Sequence, residues 1–149
     1  MSEETIRINY SSNTPWEPLR GYSRAVRVGH HLLISGTTAV DASGQVIGAG
    51  DHYKQTKAVL DKIKQIVSNA GFSYTDIVRT RMFVTDISRW NEFARAHREA
   101  FDKIRPASAI VEVAKLTDPR LLVEIEAEAI LGCEPAETAK IEFKDFIDL

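Results

Sequence analysis

Leu121-Leu122-Val123-Glu124-Ile125-Glu126-Ala127-Glu128-Ala129-Ile130-Leu131 reads as a strand with two unlike faces. Successive side chains of an extended chain point to opposite sides, so Val123, Ile125, Ala127 and Ala129 share one face and Glu124, Glu126 and Glu128 the other. The first face needs an apolar layer above it; the second does not. Ile77 to Val84 repeats the pattern, with Val78, Met82 and Val84 alternating with Arg79, Arg81 and Phe83. Two strands of this kind imply a sheet that is covered on one side and charged on the other.

The cover comes from two amphipathic stretches. From about His52 to Ala70, the residues Tyr53, Leu60, Ile63, Val67 and Ala70 fall on one helical stripe, while Lys54, Asp61, Lys64 and Ser68 lie elsewhere. Asp51 is placed to cap the first turn and Gly71 to end the last. A second helix is predicted from about Ser88 to Lys103, with Trp90, Phe93, Ala94, His97 and Phe101 as its stripe and Arg105-Pro106 as its stop. Ile6 to Tyr10 alternates as a strand and is broken by a polar stretch containing Pro15 and Pro18. Ala25–Val28 and Leu32–Gly36 form a hairpin through Gly29-His30, and Asp41-Ala42-Ser43-Gly44 is turn chemistry. Ser108 to Val113 is a further strand. The economical architecture is α+β: a mixed sheet with two helices on one face. Its bare face is either solvated or an interface. Phe83 and the run Leu32-Leu33-Ile34 need cover, which favours the interface.

Bulk properties narrow the function. The 149 residues fit one domain, and a net charge of −2 gives no basic field to drive sequence-independent nucleic-acid binding. No apolar run is long enough to span a bilayer, and Met1 to Arg7 is acidic with no apolar signal core. A single cysteine, Cys133, excludes an internal disulfide. The expectation by elimination is a cytoplasmic protein with neither nucleic acid nor membrane as partner. The spacing of His30, His31 and His52 relative to acids suggests no metal site.

Several ordered blocks resemble the Rid (YjgF) family. Gly21-Tyr22-Ser23-Arg24-Ala25-Val26-Arg27-Val28-Gly29 is similar to the family's opening, and Leu33-Ile34-Ser35-Gly36-Thr37 to its strand end. Arg105-Pro106-Ala107-Ser108 through Val123-Glu124-Ile125-Glu126-Ala127 is similar to its closing blocks, with fitting spacing between them. The resemblance covers roughly residues 20 to 131 and implies one domain over 1–131, followed by an extension over 132–149. It also implies a chorismate-mutase-like fold and a homotrimer whose bare sheet faces pack around the threefold axis. Small-molecule clefts would then lie between subunits. The implied activity is cofactor-free hydrolysis of enamines and their imine tautomers to keto acids and ammonia. Ile141, Phe143, Phe146 and Ile147 make the extension too apolar for a free tail, so it is expected to dock on the protomer or its neighbour.

The chain departs from the family at the position that matters most for that chemistry. The family grips a substrate carboxylate with an arginine after Pro-Ala, where two parallel hydrogen bonds fit the anion. Here the residue is Ser108, which carries no charge. Arg24 and Thr37 replace glutamines, Ala94 an asparagine, His97 a tyrosine and Arg81 a frequent threonine. By resemblance, Glu124 positions the attacking water, Tyr22 walls the cleft, and Ser35 and Gly36 bring backbone to the ligand. Tyr22, Arg24, Ser35, Gly36, Arg81 and Ser108 are thus the candidate substrate-binding residues, and Glu124 the candidate catalytic one. Each has a plainer reading: Arg81 as an interface charge paired with Glu124 or Glu126, Arg24 as a surface residue, Glu124 as a salt-bridged glutamate, Tyr22 as packing beside Pro18, and Ser35-Gly36 as a bulge. Two functions remain open on these residues: a divergent imine or enamine hydrolase with an altered substrate, and a trimer that binds a small metabolite without turnover.

Overall fold

The computed structural model describes residues 6–133, so the expected docking of residues 134–149 lies outside the described residues. Six strands form one mixed sheet in the order β1-β2-β3-β6-β4-β5. They are β1 (Arg7–Tyr10), β2 (Ala25–Val28), β3 (His31–Thr38), β4 (Ile77–Val84), β5 (Ala107–Glu112) and β6 (Val123–Ile130). All pairs are antiparallel except β4 and β5, which run parallel and are joined through helix α3 (Trp90–Phe101). β6, the last strand among the described residues, is inserted between β3 and β4, and its register pairs Ala127 with both Ile34 and Thr80.

The predicted alternation holds along β6: Val123, Ile125, Ala127 and Ala129 are buried, while Glu124, Glu126 and Glu128 lie on the other face. Helix α2 (His52–Asn69) covers the buried face, seating Val59, Leu60, Ile63 and Val67 in one core with Leu32, Ile34 and Ile125. Asp51 caps α2 by accepting from the Lys54 N–H at 2.8 Å, and Gly71 follows its end with φ +82°. Fully burying side chains of this size contributes roughly 1.5–3 kcal/mol each. In α3, Phe93 and Phe101 are buried as predicted.

Several sequence expectations are corrected. Tyr53 is not a core residue of α2: it is half-buried at the rim, donates to Glu99, and lies 3.9 Å beneath the Arg95 guanidinium. The core positions on that side are taken by Gln55 and Thr56. Gln55 is fully buried because its amide bridges two backbone groups, donating to the Arg120 carbonyl and accepting from the Leu122 N–H, both at 2.8 Å. Trp90 is 51% exposed rather than packed. Of the run Leu32-Leu33-Ile34, only Leu33 faces away from the helices. In β4, Thr80 joins Met82 and Val84 on the inner face, while the register slips at Val78, between Ile77 and Arg79.

The proline-broken stretch contains a helix that periodicity did not suggest, α1 (Trp16–Arg20). Pro18 sits in its first turn, where the N–H groups have no helical partner to lose. The helix is anchored by Glu17, which is buried and accepts from the Ser12 and Thr14 hydroxyls and the Ser12 N–H.

Burial alone would raise the Glu17 pKa, but hydrogen bonds from Ser12, Ser11 and Thr14 outweigh it and hold the group at about 2. A carboxylate depressed in the folded state contributes stability above its unfolded pKa of about 4.5, and that stability is lost as pH falls toward about 2. Urea unfolding of wild type and Glu17→Gln should therefore converge across this acid window. Parallel pH dependence of the two proteins would show that the hydroxyl cage does not hold the charge.

Candidate functional site

The segment from α1 to β2 and the kinked middle of β3 bring one cluster together. Between Ile34 and Thr37 the β3–β6 register shifts, so Ser35 and Gly36 form a bulge inside the strand rather than its end. Ser35 donates to the Ser23 carbonyl at 2.6 Å, and the Ser35 N–H to the Arg24 carbonyl at 3.1 Å. Arg24 turns inward and its guanidinium donates to the Gly36 carbonyl. Its Nε is buried with no partner among the described residues. Burial presses the Arg24 pKa downward, opposed by Tyr22, Glu17 and Glu124.

Glu124 reaches this bulge from β6. A Cβ at position 36 would stand 2.9 Å from Glu124 Cδ and closer still to its Oε1, so a larger residue there would displace the Glu124 carboxylate from the bulge. Burial raises the Glu124 pKa, Arg20 and Arg24 lower it, and Glu126 adds to the rise. The carboxylate makes no hydrogen bond or ion pair among the described residues, which leaves it able to accept a proton. Tyr22 lies under two guanidiniums, with Arg20 at 4.1 Å from its centroid and Arg24 at 5.8 Å. Lys62 of α2 donates to the Thr38 and Val40 carbonyls at 2.8 Å each and holds the end of β3. Tyr22, Arg24, Ser35, Gly36 and Glu124 thus come together as the sequence suggested.

Arg81 and Ser108 do not join them. Arg81 is paired across the strands with Glu126 and Glu128, both at 3.2 Å, and not with Glu124. Its charge is already answered, as in the plainer reading, with the partners shifted by one glutamate. Ser108 lies opposite Thr80 in the β4–β5 register, on the helix side of the sheet, while Glu124 is on the other. Ser108 opens into a cavity of about 180 Å³ lined by Met82, Trp90, Ala94, His97, Arg98 and Ile110. Its hydroxyl is 2.8 Å from Thr80 Oγ1, which is in turn 2.8 Å from His97 Nε2.

Arg20 and Thr80 were missed by sequence reasoning. Arg20 is close to Tyr22 only because α1 forms, and that helix carried no periodic signal. Thr80 had a usable signal, since it sits on the inward phase of a strand otherwise lined by Ile77, Met82 and Val84. Among the described residues, no three His, Cys, Asp or Glu side chains stand together as metal ligands. No helix among them is long and apolar enough to cross a membrane.

The family described as Endoribonuclease L-PSP matches residues 12–131, and the chain belongs to it. A Mycobacterium tuberculosis member of the YjgF/YER057c/UK114 family superposes with a TM-score of 0.76 at 44% identity, over 85% of this chain and all of that one. The 3-aminoacrylate deaminase RutC of Acinetobacter baylyi is 34% identical over 75% of this chain and 88% of its own length. The human 2-iminobutanoate/2-iminopropanoate deaminase is 32% identical over 80% of this chain and 85% of its own.

Gly36→Ala tests the close approach on which this cluster rests. The added methyl group should push Glu124 toward solvent, so that its carboxyl titrates lower and nearer the ordinary glutamate value by carbon-detected NMR. Because only the end of a flexible side chain is displaced, chemical unfolding should change by about 1 kcal/mol or less. An unmoved Glu124 titration would mean that the contact does not set the carboxyl's environment.

Proposed function

We propose that this protein is a divergent, cofactor-free imine or enamine hydrolase of the deaminase type, acting on a small metabolite at a cleft between subunits of a homotrimer. The observation that carries it is Glu124: a half-buried carboxylate, raised in pKa by burial, without an ion-pair partner, beside the Tyr22, Arg24 and Gly36 cluster. The deaminase names of two relatives support the same chemistry. In this reading Glu124 accepts a proton from water as its oxygen bonds to the imine carbon. The nitrogen takes that proton to complete the carbinolamine, and a second proton drawn from solvent reaches the amine. Ammonia leaves as the C–N bond breaks and the hydroxyl gives its proton to the freed Glu124 carboxylate, forming the carbonyl. The ionised form of Glu124 is the working one, so turnover falls as pH drops through its raised pKa.

The assembly supplies what one protomer does not. Glu124 and the Ser108 cavity lie on opposite sides of one sheet, so both can border a single ligand only if the cavity comes from a neighbour. The half-exposed Leu33 and Val111, together with Phe83 and the Arg79–Arg81–Glu126–Glu128 network, give the bare face apolar area and self-complementary charge. Sedimentation equilibrium at micromolar concentration should give three times the 16.7 kDa protomer mass. A monomer mass would remove the cleft and the proposal with it.

Ser108 favours a second reading, a trimer that binds a metabolite without turning it over. Losing a desolvated bidentate carboxylate grip costs roughly two decades in affinity or more. Ammonia release from freshly generated 2-aminoacrylate-derived imine should therefore be about 100-fold slower than for an arginine-bearing relative. The residual rate should fall by a further 100-fold or so in Glu124→Gln. Residual turnover that survives Glu124→Gln would refute the assigned role, and saturable binding with no turnover of any imine would establish the second reading.

A further inference from the structure

We infer that Ser108, Thr80 and His97 form a proton relay that serves an uncharged group of the ligand, in place of an anion clamp. The inference rests on the imine-hydrolase reading only for the identity of the proton's recipient. The geometry itself is independent of it: three polar atoms in series, 2.8 Å apart at each step, running from a cavity wall through a fully buried threonine to a histidine ring.

A hydroxyl both donates and accepts, so a chain of two hydroxyls and an imidazole conducts a proton without changing its own composition. When His97 carries a proton on Nε2, it donates to Thr80, Thr80 donates to Ser108, and Ser108 presents its O–H to the cavity. When Nε2 is bare, every bond reverses and Ser108 presents lone pairs. The His97 tautomer therefore sets whether the ligand meets a donor or an acceptor. Starting from the imidazolium, Ser108 gives its proton to the departing amine nitrogen, takes one from Thr80, and Thr80 takes one from His97. One proton leaves the ring and one arrives on nitrogen, with both hydroxyls restored.

The ring also borders a second cavity of about 250 Å³ lined by Arg98, Phe101, Asp102, Arg105 and Pro106, where it can exchange protons with water. The groups that face His97 are Thr80 from β4, the Phe101 ring at 4.7 Å and Arg98 from its own helix, and the Asp102–Arg105 pair of the following loop. Among the described residues no carboxylate hydrogen-bonds to the ring, and burial lowers its pKa below the ordinary imidazole value.

The surroundings of Ser108 fit an uncharged ligand group. Met82, Trp90, Ala94 and Ile110 give the wall an apolar stretch, shared with the His97 ring and the Arg98 side chain. At Ser108 a carboxylate would receive one hydrogen bond from the hydroxyl and depend on the Arg98 guanidinium for any charge, whereas an imine nitrogen or an amide needs only one donor or acceptor. The substrate class is thus a small imine without a carboxylate at this end.

The test compares 2-iminopropanoate with its uncharged amide, both generated in situ, on the intact protein. The expected kcat/KM favours the amide about tenfold or more. Thr80→Val, close in shape but without the hydroxyl, should lower kcat at least tenfold with KM nearly unchanged, and Thr80→Ser should restore it. Wild-type kcat should fall as pH rises through the His97 pKa, which burial places below the ordinary imidazole value, and this limb should vanish in Thr80→Val and in Ser108→Ala. A preference for the carboxylate substrate, or an unchanged kcat and pH profile in Thr80→Val, would overturn the proposal. If neither imine is turned over, the hydrolase reading falls and the relay is judged by nitrogen NMR of the His97 ring. Response of Nε2 to Ser108→Ala, two hydrogen bonds away, would support the relay, and indifference would overturn it.

Discussion

One strand, hydrogen-bonded on both edges and unlike on its two faces, constrains everything else in this molecule. β6 is made after the other five described strands and enters the middle of the sheet, antiparallel to both neighbours. Its register must place Val123, Ile125, Ala127 and Ala129 under α2. A slip of one residue would drive three glutamates into the core and lift the alanines and branched residues into water. Until β6 is in place, the β1–β3 and β4–β5 segments share no strand pairing. The same strand carries Glu124 to the bulge of β3 and Glu126 and Glu128 to Arg81. The site's carboxylate and the bare face's charge network are thus fixed by one choice of register.

The parts of the fold that follow from period were legible in the sequence. The two-residue alternation of β6, and of β4 from Arg79 onward, the stripe of α2 beyond Tyr53 and its caps at Asp51 and Gly71 are local patterns that tertiary structure had no reason to override. What was not legible depends on hydrogen bonds rather than on period. α1 exists because Glu17 finds hydroxyl partners at Ser12 and Thr14, and nothing in its apolar spacing announces it. Gln55 and Thr56 occupy core positions because their polar atoms are satisfied at long range or within the helix, while Tyr53 is drawn to the rim by Glu99 and Arg95.

The candidate site was half legible for a similar reason. Tyr22, Arg24, Ser35, Gly36 and Glu124 could be grouped because each matches a block of the family pattern, and the structure brings them together where the segment leading into β2 meets β3 and β6. Arg81 could not be assigned from type alone, since an outward arginine on a strand is as often a paired charge as a ligand cation. The structure pairs it with Glu126 and Glu128. Ser108 was recognisable as a departure from the family, but its partners Thr80 and His97 come from a different strand and a helix, and only the parallel β4–β5 register aligns all three.

The buried amide of Gln55 also has a bearing on how the chain tolerates change in length. Between β5 and β6 runs an irregular segment whose final residues, Arg120 and Leu122, are gripped by one side chain of α2. Residues added or removed upstream of Arg120 alter only the loop's slack, since the grip resets the backbone before β6 begins. Downstream of Leu122 there is no slack, and a single insertion would propagate through every ladder bond of the central strand. The segment from Lys115 to Pro119 is therefore where the family can lengthen and decorate itself, and Gln55 is the stop that keeps such variation out of the sheet.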